Sequence, residues 1–481
     1  MGTPNNSAAL AAKARVEEYF DEIAVERDAW IKKNSYYYED LKSFYRFNIP
    51  PGKRVLEIGS GTGEILAGLK PSRGVGIDLS QKMVEIAQKK YPQLCFRRMD
   101  AEALELEEKF DAVIISDTLG YLSDIQLAFK RIHKVVDQDT RIVMNFHSFL
   151  WQPFLILAES LGLKMPQQRL NWVTRHDLLN FLTLEGYEVI KSGRRFLFPK
   201  RIPFVSFFLN KYIAHFPFFN LLCVYGYIVA RKPLRGPLDG KPCSVTVVVP
   251  ARNEKANIEH AVRRIPKMGS HTEIIFIEGG STDDTLGEVK RVCSRYSDVL
   301  DVKYAVQDGK GKGDAVRKGF SMAAGDILMI LDADLTVPPE ELPKFYDAIA
   351  TGCGEFINGS RLVYPLEKEA MRVLNILGNK FFSMAFTWLL SQRLKDTLCG
   401  TKVIFKRHYE ALISGRSYFG DFDPFGDFDL IFGAAKLNLK IMEIPIHYRA
   451  REYGHTNISR FHHGWLLLKM VFFAMNKIKF L

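Results

Sequence analysis

The stretch DILMILDADL, residues 326–335, is a short apolar run that ends in two aspartates two positions apart. Two earlier stretches have the same form, with an apolar run that leads into a polar turn: SVTVVVPARNE at 244–254 and EIIFIEGGSTDDT at 273–285. Apolar runs that alternate with helical patterns indicate a parallel sheet covered by helices. Residues 244–481 are therefore predicted to form an α/β domain with polar groups at its strand ends.

Asp332 and Asp334 are the two acids that close the run at 326–335. If the chain stays extended, residues two apart share one side, so both carboxylates are predicted to lie together at the strand end. Paired carboxylates attract a hard cation, Mg²⁺ or Mn²⁺, which can bridge a diphosphate and neutralise a departing nucleotide diphosphate. The loop GKGKGDA at 309–315 adds two lysines suited to phosphate.

Five short motifs occur along this half of the chain. They are PARNE (Pro250–Glu254), DADL followed by VPPEEL, GSR (Gly359–Arg361), KDTLCGTK (Lys395–Lys402) and REYGHTN (Arg451–Asn457). With these motifs residues 244–481 resemble glycosyltransferase family 2, which has the GT-A fold. The resemblance is to the branch that includes dolichyl-phosphate mannose synthase and the bacterial polyprenyl-phosphate sugar transferases.

The resemblance implies a catalytic, metal-holding role for Asp332 and Asp334. It implies that the nucleotide sugar is contacted by Pro250, Arg252, Glu254, Glu278, Lys312 and Asp332. It also implies that guanidinium and ammonium groups clamp the acceptor phosphate, namely Arg361, Lys402, Arg449 and Arg451. The expected reaction is inverting transfer of a sugar from a nucleotide-diphospho-sugar donor to a polyprenyl phosphate or another lipid acceptor.

The chain departs from the family pattern at several points. Gly279 stands where the second strand usually carries another acid, which leaves a GDP or a UDP donor open. The Q-x-x-R-W signature and the transmembrane helices of processive synthases are missing, so a single addition is expected. The acidic run GDFDPFGDFDLIF at 420–432 offers Asp427 and Asp429, with Asp429 the candidate catalytic base. A hydroxyl acceptor would need such a base and an ionised phosphate would not. A soluble transferase acting on a hydroxyl therefore stays open, as does simple helix capping by these acids.

The first half of the chain contains VLEIGSGTGE at residues 55–64, between a predicted strand and a helix. Three glycines there permit a tight turn and close approach to a ligand: Gly59, Gly61 and Gly63. A nicotinamide fingerprint would need glycine or alanine where Glu64 stands, so that ligand is excluded. Acids end the next three strand-like runs, at Asp78, Asp100 and Asp117.

This ordered set resembles the class I S-adenosylmethionine-dependent methyltransferases, over residues 50–232. The resemblance implies a Rossmann-like sheet. It implies that the methionine part of the cofactor is held by Glu57, Gly59, Gly61 and Gly63. It further implies that Asp78 binds the ribose, that Asp100 and Ala101 lie beside the adenine, and that Asp117 completes the site. The expected reaction is methylation of the sugar or a related glycolipid.

The methyl acceptor is less visible in the sequence. His147 and His176 are candidate bases for a hydroxyl acceptor, although surface or capping roles account for either residue equally well. A cofactor-sensing module without catalysis remains the alternative for this half.

The predicted organisation is a helical lead-in at 1–49, a methyltransferase domain at 50–232, a linker at 233–243 and a glycosyltransferase domain at 244–481. The net charge of +11 favours anionic partners. The chain lacks basic–aromatic motifs and groove-reading helices, so nucleic acid is not expected. Six cysteines without a C-x-x-C pair indicate reduced thiols, with neither a zinc site nor a disulfide framework.

Two segments combine aromatic bulk with basic residues: 196–219 and the tail from Trp465 to Leu481. Both are predicted to lie at an anionic membrane surface without spanning it, since a span needs about 18 or more apolar residues. Packing into the protein core is the alternative. The first residues show no apolar signal region. We therefore expect a cytoplasmic protein held peripherally on the cytoplasmic face of the membrane.

Overall fold

The computed structural model describes residues 6–168, 171–233, 241–364, 373–420, 426, 428–451, 453 and 460–480. The chain divides into two compact units, Met1–Pro233 with Phe480–Leu481, and Leu234–Lys479. Most of the predicted linker, Asp427 and most of the REYGHTN motif lie outside the described residues. Within the described ranges, no helix combines the length and the apolar character that crossing a membrane requires.

The N-terminal unit is built on a sheet with the strand order β3-β2-β1-β4-β5-β7-β6. The strands are β1 (Arg54–Ile58), β2 (Arg73–Asp78), β3 (Cys95–Arg98), β4 (Ala112–Ser116), β5 (Arg141–His147), β6 (Glu188–Arg195) and β7 (Tyr225–Arg231). β1 to β5 are parallel, and β7 runs antiparallel between β5 and β6. Each apolar run that predicted a strand forms one.

Helices cover both faces of this sheet. They are α1 (Asn6–Lys33), α2 (Ser35–Asn48), α3 (Glu64–Gly68), α4 (Gln81–Lys90), α5 (Ile125–Ile132), α6 (Gln152–Ser160), α7 (Arg175–Leu184), α8 (Val205–Lys211) and α9 (Pro217–Asn220). Successive side chains of β4 point to opposite faces of the sheet and pack into two hydrophobic cores, Val113 and Ile115 into one and Ala112 and Ile114 into the other. The helical lead-in is therefore two helices, and α2 belongs to the second of these cores through Leu41, Phe44 and Tyr45.

The C-terminal unit has a second sheet with the strand order β10-β9-β8-β11-β13-β12-β14. The strands are β8 (Val245–Ala251), β9 (Thr272–Glu278), β10 (Asp301–Val306), β11 (Ile327–Ile330), β12 (Phe356–Ser360), β13 (Lys402–Phe405) and β14 (Ile441–Pro445). β13 is antiparallel to β11 and β12. β8, β9 and β11 are parallel, so the polar turns that follow them lie along one edge of the sheet.

The helices of this unit are α10 (Ile258–Arg264), α11 (Thr285–Tyr296), α12 (Lys312–Met322), α13 (Leu342–Ala350), α14 (Val373–Leu390), α15 (Lys406–Ser414), α16 (Phe428–Lys436) and α17 (Arg460–Ala474). A π-helical turn, Met475–Lys479, continues α17.

Both segments predicted to be interfacial have a packed side as well as an exposed side. In 196–219, Phe196 and Ala214 are buried whereas Phe204 and Phe218 are exposed. In the tail, α17 packs on α14 and buries Met470 and Ala474, and Lys479 Nζ donates to Trp388 O at 2.8 Å. Trp465 and Phe472 stay exposed. The core-packing alternative thus accounts for the inner half of each segment.

Candidate active sites

A cavity of about 240 Å³ lies at the carboxyl ends of the N-terminal parallel strands. Six of the eight predicted cofactor residues line it: Gly59, Gly61, Asp78, Asp100, Ala101 and Asp117. The other two, Glu57 and Gly63, are absent from its wall. Strand order brings these residues together, because β2 and β3 flank β1 on one side and β4 flanks it on the other.

The three glycines of the turn have different reasons to be glycine. All three have positive φ, and a Cβ at Gly59 would collide with the Thr118 side chain. A Cβ at Gly63 would lie 2.6 Å from the Phe96 ring, so this glycine serves packing. A Cβ at Gly61 would enter open space at the cavity wall. Gly61 is therefore the position of the turn where a ligand finds room.

Glu57 and Asp78 hold the turn through its backbone. Glu57 is buried and accepts a hydrogen bond from Leu66 N at 3.1 Å, at the start of α3. Burial raises the pKa of Glu57 to about 8. Asp78 accepts hydrogen bonds from Gly61 N at 2.8 Å and Ser80 N at 3.0 Å. Glu57 thus shapes the turn from behind, whereas Asp78 also faces the cavity.

Asp117 is the centre of a polar network on the cavity wall. It accepts hydrogen bonds from Tyr37 OH at 2.8 Å and Asn145 Nδ2 at 2.6 Å, and His147 Nδ1 lies 3.1 Å away. Burial alone would raise the pKa of Asp117, but His147 and these hydrogen bonds outweigh burial and lower it. His147 lines the cavity, whereas His176 is exposed on α7 and does not. Of the two candidate bases, His147 is therefore the one at the cavity, and its role as a base stays a prediction.

The sequence-based predictions missed the contribution of α1 and α2. Lys13, Arg27 and Tyr37 line the cavity, and Lys13 Nζ lies 2.7 Å from Asp100 Oδ2. α1 is tied across the strand ends by Asp28, which accepts a hydrogen bond from Thr62 Oγ1 at 2.6 Å. The run Tyr36-Tyr37-Tyr38 is the sequence feature that could have indicated this contribution. The partners of Tyr36 and Tyr37, Asn210 and Asp117, lie 174 and 80 positions away, so the run alone does not identify them.

In the C-terminal unit, Asp332 and Asp334 follow β11 at the expected edge but not as an extension of it. β11 ends at Ile330, and the chain turns so that Leu335 N donates to Asp332 O at 3.2 Å. The prediction of an extended chain here is wrong. Asp332 Oδ1 lies 2.7 Å from Lys312 Nζ, and Asp334 Oδ2 accepts from Arg451 Nη2 at 2.5 Å.

The carboxylate of Asp332 lies in a space that Gly400 leaves open. A Cβ at Gly400 would collide with that carboxylate and come within 2.6 Å of Lys312 Nζ. Burial alone would raise the pKa of Asp332, but Lys312, then Lys402 and Arg361, lower it. An ionised carboxylate beside a second aspartate is the donor set that Mg²⁺ or Mn²⁺ takes, so the residues fit the expected metal.

The loops after β8 and β9 carry the residues predicted to contact the nucleotide. Glu254 accepts a hydrogen bond from Arg451 Nη1 at 2.9 Å, and Glu278 accepts one from Ser281 N at 2.6 Å. Arg252 is exposed, and Pro250 lies within β8. Asn253, which the sequence analysis did not single out, links the loops because its Oδ1 accepts from Thr282 N at 2.8 Å.

The four basic residues predicted to clamp an acceptor phosphate do not form one cluster of equivalent groups. Arg361 makes a two-pronged pair with Asp396, at 2.7 and 2.8 Å, so its fork is occupied by a protein carboxylate. Lys402 is buried and donates to Cys399 O at 2.5 Å. Arg449 is exposed, and Arg451 bridges Glu254 and Asp334. Clamping of an acceptor phosphate by these four residues stays a prediction, and in this structure Arg361 is held by Asp396.

Asp429 lies in the first turn of α16, and its Oδ2 is 3.9 Å from Arg416 Nε. Arg416 belongs to the short 3-10 helix Arg416–Tyr418 and partly compensates the negative charge of Asp429. Its role as a base stays a prediction.

Two family profiles match the chain. The one described as "Methyltransferase domain" matches residues 55–139, and the one described as "Glycosyl transferase family 2" matches residues 246–412. The first covers β1 to β4 with the turns that follow them, and the second covers β8 to β13. Residues 55–139 therefore match a methyltransferase domain, and residues 246–412 match a family 2 glycosyltransferase.

Curated relatives match parts of the chain. Dolichol-phosphate mannosyltransferase of Pyrococcus furiosus is 36% identical over 121 residues, which cover 25% of this chain and 33% of that protein. Undecaprenyl-phosphate 4-deoxy-4-formamido-L-arabinose transferase of Enterobacter sp. is 26% identical over 226 residues, which cover 45% of this chain and 62% of that protein. The chain thus matches less than two thirds of the length of either relative.

Among solved structures, an S-adenosylmethionine-dependent methyltransferase of Thermotoga maritima is 18% identical, with a TM-score of 0.36, and covers 45% of this chain and 99% of that one. The predicted fold, a Rossmann-like methyltransferase sheet followed by a GT-A domain, is confirmed, and so is the assignment of the chain as a transferase. The profiles end before several groups described above: His147 in the methyltransferase domain, and Arg449 and Arg451 in the glycosyltransferase domain.

Proposed function

We propose that the glycosyltransferase domain transfers a sugar, with inversion, from a nucleotide-diphospho-sugar to a polyprenyl phosphate. The names of both curated relatives contain a polyprenyl-phosphate acceptor. The observation that carries the proposal is the pair of aspartates after β11, each compensated by a basic side chain: Asp332 by Lys312 and Asp334 by Arg451. Two anions and two cations at one strand edge suit a reaction between two phosphorylated substrates.

In this reaction an acceptor phosphate oxygen attacks the anomeric carbon, and the bond from that carbon to the diphosphate breaks on the opposite side. A divalent cation held by Asp332 and Asp334, when bound, supplies positive charge to the departing diphosphate. Lys312 then turns to the donor phosphates, and Arg449 and Arg451 face the acceptor phosphate. Arg252, Glu254 and Glu278 surround the nucleotide.

A phosphate acceptor is favoured over a hydroxyl by the chemistry of the site. An acceptor phosphate is already ionised and needs no base, whereas a hydroxyl does. Asp429, the candidate base, is paired with Arg416. A hydroxyl acceptor would have to break that pair before Asp429 could take a proton.

The methyltransferase domain is proposed to bind S-adenosylmethionine and to methylate the sugar or a related glycolipid. The methionine part would pass Gly61, where the turn leaves open space, and its carboxylate would meet Arg27. Asp78 would accept the ribose hydroxyls and Asp100 would lie by the adenine. Tyr121 OH, a buried hydroxyl at the cavity wall with no partner among the described residues, offers one more polar contact. His147, held by Asp117, would take the proton of the acceptor.

The two activities are proposed to serve one lipid-linked product at the cytoplasmic face of a membrane. The exposed aromatic residues of 196–219 and of the tail would provide peripheral attachment to an anionic surface. Lys200, Arg201 and Lys211 add the attraction of basic groups for that surface.

The test is an assay of metal-stripped protein with undecaprenyl phosphate and a panel of labelled nucleotide sugars, with lipid products separated by mass spectrometry. Transfer is expected only after Mg²⁺ or Mn²⁺ is restored, and Asp334→Ala should lose it. Asp308→Ala is the matched control, because Asp308 is an exposed acid paired with Lys318. Full transfer in chelator would contradict the metal assignment, and transfer to a sugar hydroxyl alone would contradict the acceptor.

A further inference from the structure

Exposed apolar side chains of the methyltransferase domain are concentrated in two segments. Seven large ones lie in residues 149–163 and ten in residues 202–222, whereas the rest of the described part of this unit has three, Leu10, Val25 and Leu184. We call the seventeen the apolar face: Phe149, Leu150, Phe154, Ile156, Leu157, Leu161, Leu163, Ile202, Phe204, Val205, Phe207, Phe208, Phe216, Phe218, Phe219, Leu221 and Leu222. Patches of this extent mark interaction sites.

The two segments are joined into one ordered surface. Trp151 Nε1 donates to Leu222 O at 2.7 Å, and Ser148 N donates to Val224 O at 2.8 Å. The second segment is anchored from below, because Asn210 Nδ2 donates to Tyr36 OH at 2.9 Å. Phe196, six positions before this segment, is buried against the Tyr36 ring. Anchoring of this kind presents the outer phenylalanines on a fixed support.

The charged side chains of the second segment and of the chain leading into it are basic. Residues 196–222 contain no aspartate or glutamate but contain Lys200, Arg201 and Lys211. Residues 149–163 carry one charge, Glu159, which is paired with Lys164 at 2.7 Å. Lys211 Nζ lies 5.2 Å from the centre of the Phe207 ring. Aromatic and aliphatic bulk edged by basic groups is complementary to the headgroup region of an anionic bilayer.

The inner side of this surface is a wall of the cofactor cavity. α6 buries no residue, because Phe154, Leu155 and Ala158 line the cavity while Ile156 and Leu157 point outward. The chain that leads into the second segment also reaches the cavity, through Pro199 and Lys200. The apolar side chains of α6 therefore give a hydrocarbon chain a route from the cavity to the outer surface.

Another part of the cavity wall is polar. Asp117 and His147 end β4 and β5, on the side of β1 away from Asp78 and Asp100. If the nucleoside occupies the side of Asp78 and Asp100, the acceptor group lies near His147. The cavity thus has a place for a polar head and, toward α6, a place for an apolar tail.

We propose that the apolar face docks on a lipid bilayer and that the methyl acceptor is an amphiphile whose hydrocarbon chain leaves the cavity past α6. The proposal rests on the proposed use of S-adenosylmethionine by this domain. It narrows the acceptor from a sugar or a related glycolipid to an amphiphile that is anchored in, or drawn from, the membrane.

The first experiment is flotation of the full-length protein with mixed phosphatidylcholine–phosphatidylglycerol vesicles. Two double variants remove outer residues that do not line the cavity, Ile156→Ser with Leu157→Ser and Phe204→Ser with Phe218→Ser. Val25→Ser with Leu184→Ser is the matched control, because both residues are exposed elsewhere in the same unit. Each face variant should bind at least about tenfold more weakly and the control should bind like wild type. Unchanged binding of both face variants, or their loss of self-association in sedimentation instead, would overturn the docking surface.

The second experiment measures binding of geranylgeraniol, a polyprenyl alcohol, to protein saturated with S-adenosylhomocysteine. Wild type should bind it, and Ala158→Trp, which fills the apolar end of the cavity, should bind it at least about tenfold more weakly. No binding to wild type, or no effect of Ala158→Trp, would overturn the hydrocarbon path. Calorimetry with S-adenosylmethionine keeps the two proposals apart. Failure of cofactor binding would sink the methyltransferase assignment, while the flotation result would still decide the docking surface.

Discussion

The two sites balance the charge of their acids in different ways. In the methyltransferase domain, Asp78 accepts hydrogen bonds from backbone amides, and Asp117 accepts them from Tyr37 and Asn145 with His147 beside it. Asp100 is the acid of this site that pairs with a lysine, Lys13. In the glycosyltransferase domain, Asp332 and Asp334 are each paired with a cation of the chain, Lys312 and Arg451. Neutral donors fix a carboxylate without cancelling its charge, whereas ion pairs cancel it until a ligand takes over one of the partners.

This difference separates a preorganised site from an exchangeable one. The methyltransferase cavity already has its shape, because the glycine turn, Glu57 and Asp78 hold one another through the backbone. The glycosyltransferase site is expected to rearrange when a metal and two phosphates arrive, since its cations must leave the aspartates to meet them. Substitutions should therefore act by filling space in the first site and by changing charge in the second.

The largest effect should follow from filling the open space in the preorganised site. Gly61→Val should weaken S-adenosylmethionine binding at least about 100-fold, which is about 2.7 kcal/mol. Gly52→Val is the matched control, because Gly52 also has positive φ with open space around it but does not line the cavity. Both variants carry backbone strain of about 1–2 kcal/mol, so thermal unfolding should shift equally. Isothermal titration calorimetry decides, and equal affinities would break the assignment of Gly61.

The next effect tests whether the turn is held from behind by a protonated acid. The pKa of Glu57, about 8, lies above its ordinary value of 4.5, so the folded state keeps a proton that the unfolded chain releases. The stability contributed by Glu57 is therefore full below pH 4.5 and is lost as the pH rises toward 8. Glutamine does not titrate, so Glu57→Gln should not lose stability in this way as the pH rises.

Urea unfolding at a series of pH values measures the difference. Between about pH 5 and pH 8, the free energy of unfolding of Glu57→Gln should rise relative to that of wild type by on the order of 2 kcal/mol. Glu107→Gln, at an exposed site with the same change of charge, should track wild type. A parallel course of Glu57→Gln and wild type would show that Glu57 is ionised in the fold.

The smallest effect tests the exchangeable site. Lys312→Met should lower kcat/KM for the nucleotide sugar by about tenfold, or about 1.4 kcal/mol, because the donor phosphates lose one cation. Lys310→Met, two positions earlier in the same loop and exposed, should stay within about threefold. Equal losses in steady-state kinetics would mean that the loop contributes only general positive charge.

Much of the preorganised site could be predicted from the sequence because its parts are local. The turn at Gly59, Gly61 and Gly63 and the acid after β2 follow strands in a fixed order, and sheet order then brings them together. The contribution of α1 could not be predicted in this way. Lys13 contacts Asp100, which lies 87 positions further along the chain, and no sequence spacing predicts that pair.

The exchangeable site shows what residue type alone leaves open. Arg361 and Arg451 both lie in motifs that imply phosphate binding, and in this structure Arg361 is paired with Asp396 while Arg451 bridges two acids of the site. These partners lie far along the chain, 35 positions from Arg361 to Asp396 and 197 from Arg451 to Glu254, so the motifs do not predict them. The prediction that Asp332 and Asp334 lie in an extended chain is wrong, because the chain turns after β11.

The central claim is that one chain carries two separate transferase sites, and two variants test it most directly. Sugar transfer to undecaprenyl phosphate and affinity for S-adenosylmethionine should both be measured on Asp334→Ala and on Gly61→Val, with circular dichroism to confirm folding. The account predicts that Asp334→Ala loses transfer and binds the cofactor like wild type, and that Gly61→Val loses cofactor binding and keeps transfer. Loss of both activities in either folded variant would contradict it.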